Sequence, residues 1–232
     1  MTKVKQELHL AFVLHTRDYR ETSLLVEVLS QQHGRVTVVA RGAKRGKAKA
    51  SSILRPFAPV QISWLGDGDL VTMLEVEELP QDSNLQAKRA ICGLYLNELL
   101  IRLLPKWDAC LELFNEYQTT LQALADLELN EQITLRKFEK RLLKALGYGL
   151  QLSCEVESGA PIEAHNYYVF DPILGPKLAL NSATQAIKGS SLLMLANEDF
   201  NAATDLAEIR RLMRSVLAYH LGPKQLVSRQ LL

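Results

Sequence analysis

The sequence has little of what marks a secreted scaffold, a membrane protein or a familiar enzyme. Its 232 residues include three cysteines, Cys92, Cys110 and Cys154, scattered with no CxxC pair. They can build neither a four-cysteine metal site nor a disulfide framework, and an odd count fits free thiols in a reducing compartment. No apolar run reaches the roughly 18 residues that a membrane-spanning helix needs. The opening MTKVKQELHLAFVLHT is broken by Glu7, His9 and His15 and offers no small-residue cleavage site, so a signal peptide is not expected. The cytosol is then the default location.

Catalytic signatures are missing too. There is no HExxH, no GxSxG and no GxGxxG, and the five histidines (His9, His15, His33, His165, His220) show no metal-ligand spacing on a helix. Gly42-Ala43-Lys44-Arg45-Gly46-Lys47 imitates a phosphate-binding P-loop. It is one residue short between its glycines, and Ala48 stands where a hydroxyl should hold magnesium. Glu75, Glu77 and Glu78 fit a solvated strand face and its end better than paired catalytic carboxylates. No enzymatic activity and no cofactor are expected.

What the sequence does have is charge sorted by position. The net charge is only +1, but between Gln31 and Gly66 there are seven basic residues (Arg35, Arg41, Lys44, Arg45, Lys47, Lys49, Arg55) and no acid. From Asp67 to Glu78 there are five acids and no base. A near-neutral protein can thus carry a strong local positive field. Five of the cations fall within nine residues, Arg41 to Lys49, separated by glycine and alanine. Small neighbours let such a loop follow a phosphate backbone, and each cation paired with a phosphate releases a counterion. Period-two alternation puts Arg35, Thr37, Val39 and Arg41 on one strand face. Trp64 could stack on a base, but it alternates in phase with Val60 and Ile62, which predicts a core position.

Five short segments rich in Val, Leu, Ile and Thr (7–16, 23–30, 34–42, 57–65 and 69–78) read as strands. Five strands in so short a span fit a small closed barrel. The OB-fold is the nearest architecture and an SH3-like barrel the alternative. The polar stretch GAKRGKAKASS lies between the third and fourth as a loop, and Gly66-Asp67-Gly68 as a tight turn. After Pro80 the apolar period lengthens to about 3.6, predicting helices over 87–104, 108–127, 131–146, 184–196 and 205–221. Residues 149–177, with Gly159-Ala160-Pro161, Asp171-Pro172 and Gly175-Pro176, read as a loop-rich insert. The expected fold is α+β: a barrel domain over 1–80, then a helical domain over 81–232 carrying the insert.

Two further constellations stand out. In the helix over 131–146, Phe138, Leu142 and Leu146 form an apolar stripe beside Arg136, Lys140 and Lys144, a pattern that suits an acidic, apolar peptide as well as it suits solvent. Arg210, Arg211 and Arg214 make a modest basic patch near the end of the chain. Asn97 and Glu98, inside an apolar helix, need hydrogen-bond partners and are expected to be structural.

The segment AFVLHTRDYRETSLLVEVLSQQHGRVTVVARGAKR resembles the N-terminal barrel of the RecO family of recombination mediators. GLYLNELLIRLLP is similar to the first helix after that barrel, RKFEKRLLKALGYG to the helix ending in a Leu-Gly-Tyr signature, and LGPKQLVSRQLL to the closing segment. The resemblance runs in order over roughly residues 8–232. It implies an OB-fold followed by a helical domain, and a nucleoid-associated protein that binds single- and double-stranded DNA. It also implies annealing of complementary strands and help in loading the RecA recombinase onto strands coated by single-strand-binding protein. The implied partners are RecR and the C-terminal tail of that coating protein. DNA contacts carry over to Arg35, Arg41, Lys44, Arg45 and Lys47, with Lys49 and Arg55 adjoining them. Peptide contacts carry over to Arg136 and Phe138, with Lys140, Leu142 and Lys144 beside them. An RNA-binding or translation-associated OB-fold protein is the alternative, because the basic loop alone cannot tell DNA from RNA.

Many relatives of that kind carry a four-cysteine zinc module after the Leu-Gly-Tyr helix. Between Gly149 and Lys177 this sequence has only Cys154 and His165 as cysteine or histidine, too few for a tetrahedral site. Elemental analysis of the purified protein should find no stoichiometric zinc, and a chelator should leave its melting temperature unchanged. One zinc per chain would overturn this expectation.

Overall fold

The computed structural model describes residues 7–44, 49–80, 85–179, 186–201, 205–223 and 225–231. The chain divides into two compact units, one of residues 1–126 with 226–232 and the other of residues 127–225.

The first unit is built on a five-stranded barrel: β1 (His9–Tyr19), β2 (Ser23–Ser30), β3 (Gly34–Ala40), β4 (Pro59–Leu65) and β5 (Val71–Glu78). The strands close in the order β1-β2-β3-β5-β4, with β3 and β5 parallel and the other neighbours antiparallel. This is the economy of an OB-fold. Alternate residues fill the interior: Ala11, Val13, Val26, Val28, Val36, Val38, Val60, Ile62, Trp64 and Val71 are all buried. Trp64 is therefore a core residue, edge-on to His33 at 5.3 Å and Trp107 at 6.0 Å.

The stretch expected to be wholly loop contains a short helix, α1 (Lys49–Ile53), which the polar composition concealed. Ile53 and Leu54 plug the barrel core, and the Thr16 hydroxyl donates to the Leu54 carbonyl at 2.8 Å. At the β2–β3 turn, Gly34 has φ +66°, and a Cβ there would lie 2.0 Å from the Asp108 carbonyl oxygen. Only glycine meets both demands.

Two helices follow in the same unit, α2 (Ala87–Leu103) and α3 (Leu111–Ala125). They cover the outer face of β1, where Phe12 packs between Phe114 and Tyr117, each ring 5.3 Å away. The β1–β2 ladder breaks its register between Val13 and His15, leaving Leu14 unpaired. The Asn97 amide donates to the freed Leu14 carbonyl at 2.6 Å, and the Tyr117 hydroxyl donates to Asn97 Oδ1 at 2.6 Å. Burial raises the Tyr117 hydroxyl far above its ordinary pKa, so it serves only as a neutral donor. The neighbouring Glu98 accepts from the Val227 and Ser228 amides and the Ser228 hydroxyl, tying down the closing 3-10 helix (Ser228–Leu231). Both residues are structural, as their place on an apolar helix predicts.

The second unit contains α4 (Glu131–Ala145), a small antiparallel sheet, and α5 (Gly189–Asn197) and α6 (Leu206–Leu221). Asn130 caps α4 and Asp205 caps α6 through their side chains. The sheet, β6 (Tyr167–Asp171), β7 (Gly175–Leu178) and β8 (Ile187–Lys188), has the order β7-β6-β8. The loop-rich insert is thus partly a sheet, and the helix expected to begin at 184 begins at Gly189 after a strand. Ahead of the sheet, the Glu155 carboxylate accepts from the Glu157 and Ser158 amides and the Ser158 hydroxyl. These donors, the hydroxyl foremost, hold its pKa down to about 2.

The Asn97 contact yields a stability test. Asn97→Ala takes the side-chain donor from the buried Leu14 carbonyl and the Asn97 acceptor from the buried Tyr117 hydroxyl, and should lower the unfolding free energy by about 3 kcal/mol. Tyr117→Phe removes one bond and should cost only about 1 kcal/mol. Denaturant unfolding followed by tryptophan fluorescence checks both. Equal effects would mean that the Leu14 carbonyl finds another donor.

Candidate nucleic-acid interface

The barrel has a groove of about 760 Å³ at one end. Three segments wall it: the β1–β2 hairpin from Tyr19 to Ser23, the end of β3 with Val39, Arg41 and Gly42, and the start of β5 with Leu70, Val71 and Thr72. The groove exists because β3 and β5 pair through only two residue pairs, Val38 with Val71 and Val39 with Thr72. Beyond that short seam the end of β3 is open. In five-stranded barrels of this kind, the β2–β3 face and the loops after β1 and β4 bind oligonucleotides. Here the same two loops flank the opening.

Of the seven basic candidates, Arg41 lines this groove, exposed at its rim. Lys44 is joined to the hairpin twice. Its amide donates to the Thr22 carbonyl at 3.0 Å, and its ammonium pairs with Asp18 at 2.7 Å. Arg45 and Lys47 lie outside the described residues. Lys49 begins α1, and nothing is described of its side chain. Arg55 pairs with Glu78 at 2.8 Å, both side chains solvated.

Arg35 sits at the other end of β3, six residues and so roughly 20 Å from Arg41 along the strand. Its side chain is only 14 % exposed. The guanidinium binds Glu27 at 3.0 Å and donates to the Leu104 carbonyl at 3.0 Å, while the Thr37 hydroxyl donates to the other Glu27 oxygen. The adjoining segment is fastened by Lys106 to the Asp69 carbonyl and by the Trp107 indole to the Gly68 carbonyl. Arg35 and Arg41 share a strand face as alternation predicts. In this structure, however, the first cation braces the barrel, and the second is exposed and makes no ion pair among the described residues.

The sequence reasoning passed over two groove residues, Tyr19 and Arg20. They lie within the segment quoted for its resemblance, but no composition or spacing rule singled them out. Arg20 takes φ +54°, unusual for a residue with a side chain, and its guanidinium carbon is 5.3 Å from the centre of the Tyr19 ring.

The peptide candidates on α4 are mostly drawn inward. Phe138 and Leu142 are fully buried. Arg136 is 4 % exposed and pairs with the buried Glu139 one turn along, at 2.7 Å. Lys140 donates to the Ala196 carbonyl at 2.6 Å and also pairs with Glu198. Only Lys144 of the five is exposed. The apolar stripe is wide enough to carry Arg136 inward with it, which spacing along a helix cannot reveal. Among the described residues no group of three or more His, Cys, Asp or Glu side chains could hold a metal ion. The side chains present between Gly149 and Lys177 do not fit a zinc module.

Charge reversal separates brace from groove. Arg35→Glu sets a second carboxylate against Glu27 and should cost about 3 kcal/mol of stability. Arg41→Glu, an exposed change, should stay within about 0.5 kcal/mol of the parent. Thermal melting of the two variants decides the matter, and an Arg35→Glu protein that melts like the parent would remove the bracing role.

The N-terminal model of recombination protein O matches residues 1–79 and its C-terminal model residues 85–230. Proteins named DNA repair protein RecO share 44 % identity with the chain in three bacteria. The match in Methylococcus capsulatus covers 95 % of this chain and 90 % of the relative. In Nitrosococcus oceani it covers 96 % and 91 %, and in Coxiella burnetii the whole of both. No helix among the described residues is long and apolar enough to cross a membrane. With both halves of the chain matched in order and full-length relatives at that identity, the chain belongs to the recombination protein O (RecO) family.

Proposed function

We propose that the chain is a non-catalytic recombination mediator in DNA repair. It binds single- and double-stranded DNA, anneals complementary strands and helps load RecA onto strands coated by single-strand-binding protein. RecR and the acidic tail of the coating protein are its protein partners. One observation carries the DNA reading: the barrel groove has Arg41 on its rim, and the Lys44 amide ties the start of the basic loop to the same hairpin. Family membership supports DNA over RNA. The barrel, within the 1–80 division of the sequence, is the part assigned to DNA.

Arg35 is braced, which leaves Arg41, Lys44, Arg45, Lys47 and Lys49 as the phosphate-binding set, with Arg55 in its solvated pair with Glu78 adjoining them. The Lys44–Asp18 pair exchanges readily, because Asp18 is largely solvated. With about five contacts, the affinity for single strands should fall with salt at a log–log slope of roughly −3 to −4. Base identity should matter little, since phosphate contacts carry no sequence information.

The tail of single-strand-binding protein is assigned to α4. Arg136 neutralises Glu139, so reversing it would injure the fold; Lys144 is the surface cation to probe. An acidic tail bound there should lose affinity in Lys144→Glu, by a few-fold for one solvated ion pair.

Anisotropy titration of a labelled thymidine oligomer tests the DNA site. Lys44, Arg45 and Lys47 changed together to Glu should weaken binding at least tenfold, flatten the salt slope and leave the melting temperature alone. Annealing of coated complementary strands should fail in the same variant. Unchanged DNA affinity would move the site off this loop.

A further inference from the structure

The groove holds more than cations, and its remaining chemistry bears on which form of DNA it takes. We propose that Tyr19 and Arg20 form a base-stacking platform at the groove mouth that makes the site selective for single strands; this rests on the groove being the DNA site. The barrel strands carry three phenylalanine, tyrosine or tryptophan side chains: Phe12, Tyr19 and Trp64. Phe12 is covered by Phe114 and Tyr117, and Trp64 is fully buried in the core. Tyr19 alone of the three lines the groove.

The hairpin builds the platform. Tyr19 is the last residue of β1, held opposite Ser23 in the ladder, so its ring is carried by a paired strand. Arg20 enters the turn in the left-handed region, which sends its side chain back over that ring. Among the described residues Arg20 has no carboxylate partner, and it is exposed. A tyrosine ring and a guanidinium plane both accept a stacked base, and every base has a face to offer, so the preference is for unpaired bases of any sequence. Thr22 and Thr72 add hydroxyls on the same walls. The groove volume of about 760 Å³ lies within the roughly 300–1,000 Å³ that encloses small ligands, enough for a splayed-out nucleotide. A duplex hides its base faces and can use only the cations. Arg41 and the loop therefore supply affinity for either form, and Tyr19 with Arg20 supplies the difference between them.

The test uses the full chain and three labelled probes of equal length: a thymidine oligomer, an abasic oligomer and a duplex. The wild type should bind the thymidine oligomer more tightly than the abasic one. Tyr19→Ala should lose about tenfold on thymidine and stay within twofold on the other two probes. Tyr19→Phe, which keeps the ring, should match the wild type. A wild type that binds abasic and thymidine strands equally overturns the platform with no variant needed. So does a Tyr19→Ala loss that is the same on all three probes, because the ring then only supports the hairpin. Arg41→Glu separates this from the site itself. If it weakens all three probes while Tyr19→Ala weakens none, the platform alone falls. If it weakens none, the groove is not the DNA site and the platform falls with it.

Discussion

The carbonyl of Leu14 is the point on which the first unit turns. A barrel strand that pairs on both edges must bend, and β1 bends by dropping one residue from its ladder with β2. The dropped residue is buried, so its carbonyl cannot turn to water, and an unmet buried carbonyl is costly. Asn97 meets it from α2, and Tyr117 fixes the orientation of Asn97 from α3. The barrel is therefore completed by the helices that follow it. This explains why the compact unit runs to Asp126, although the change of periodicity in the sequence comes near Pro80. It also explains why the end of the chain, held by Glu98 one residue along α2, belongs to the same unit. Glu98 keeps a lowered pKa there: burial opposes its charge, but the Ser228 and Val227 donors and Arg102 outweigh that.

Much of this was legible in residue order. Richness in Val, Leu, Ile and Thr marked all five strands, alternation put Trp64 inside, and the isolated polar pair on α2 announced a structural role. What stayed hidden has a common cause: a side chain's partner is set by tertiary neighbours. Arg35 and Arg41 look equivalent along β3, yet Glu27 faces Arg35 from the neighbouring strand, and among the described residues Arg41 has no acidic partner. Arg136 looks like a surface cation until Glu139 joins it in the interior. Tyr19 and Arg20 stood in plain view, but the value of an aromatic ring depends on which wall it lines, and only the closed barrel defines a wall.

The insert is ordered by hydrogen bonds from within its own segment. Its strands are short and broken by Gly175-Pro176, so the pattern read as loop. Glu155 gathers three donors, the Tyr168 hydroxyl accepts from the Glu163 amide, and the Val156 amide reaches the Pro176 carbonyl. Because the Glu155 pKa is depressed to about 2, its contribution is present above the ordinary carboxylate range of about 4 and is lost as pH falls toward 2.

The described residues on either side of the basic loop are held at separate places. Lys44 is fixed to the hairpin through the Thr22 carbonyl, and Ile53 and Leu54 are fixed in the core. Between Lys44 and Lys49 lie only residues 45–48. The one backbone hydrogen bond from Lys44 to Thr22 therefore sets the point from which the basic segment leaves the hairpin. In the proposed site a DNA backbone along the groove would meet Arg41 on the barrel, and Tyr19 and Arg20 would take the bases. Affinity and the choice between single and double strands would then be adjustable by different residues of one site.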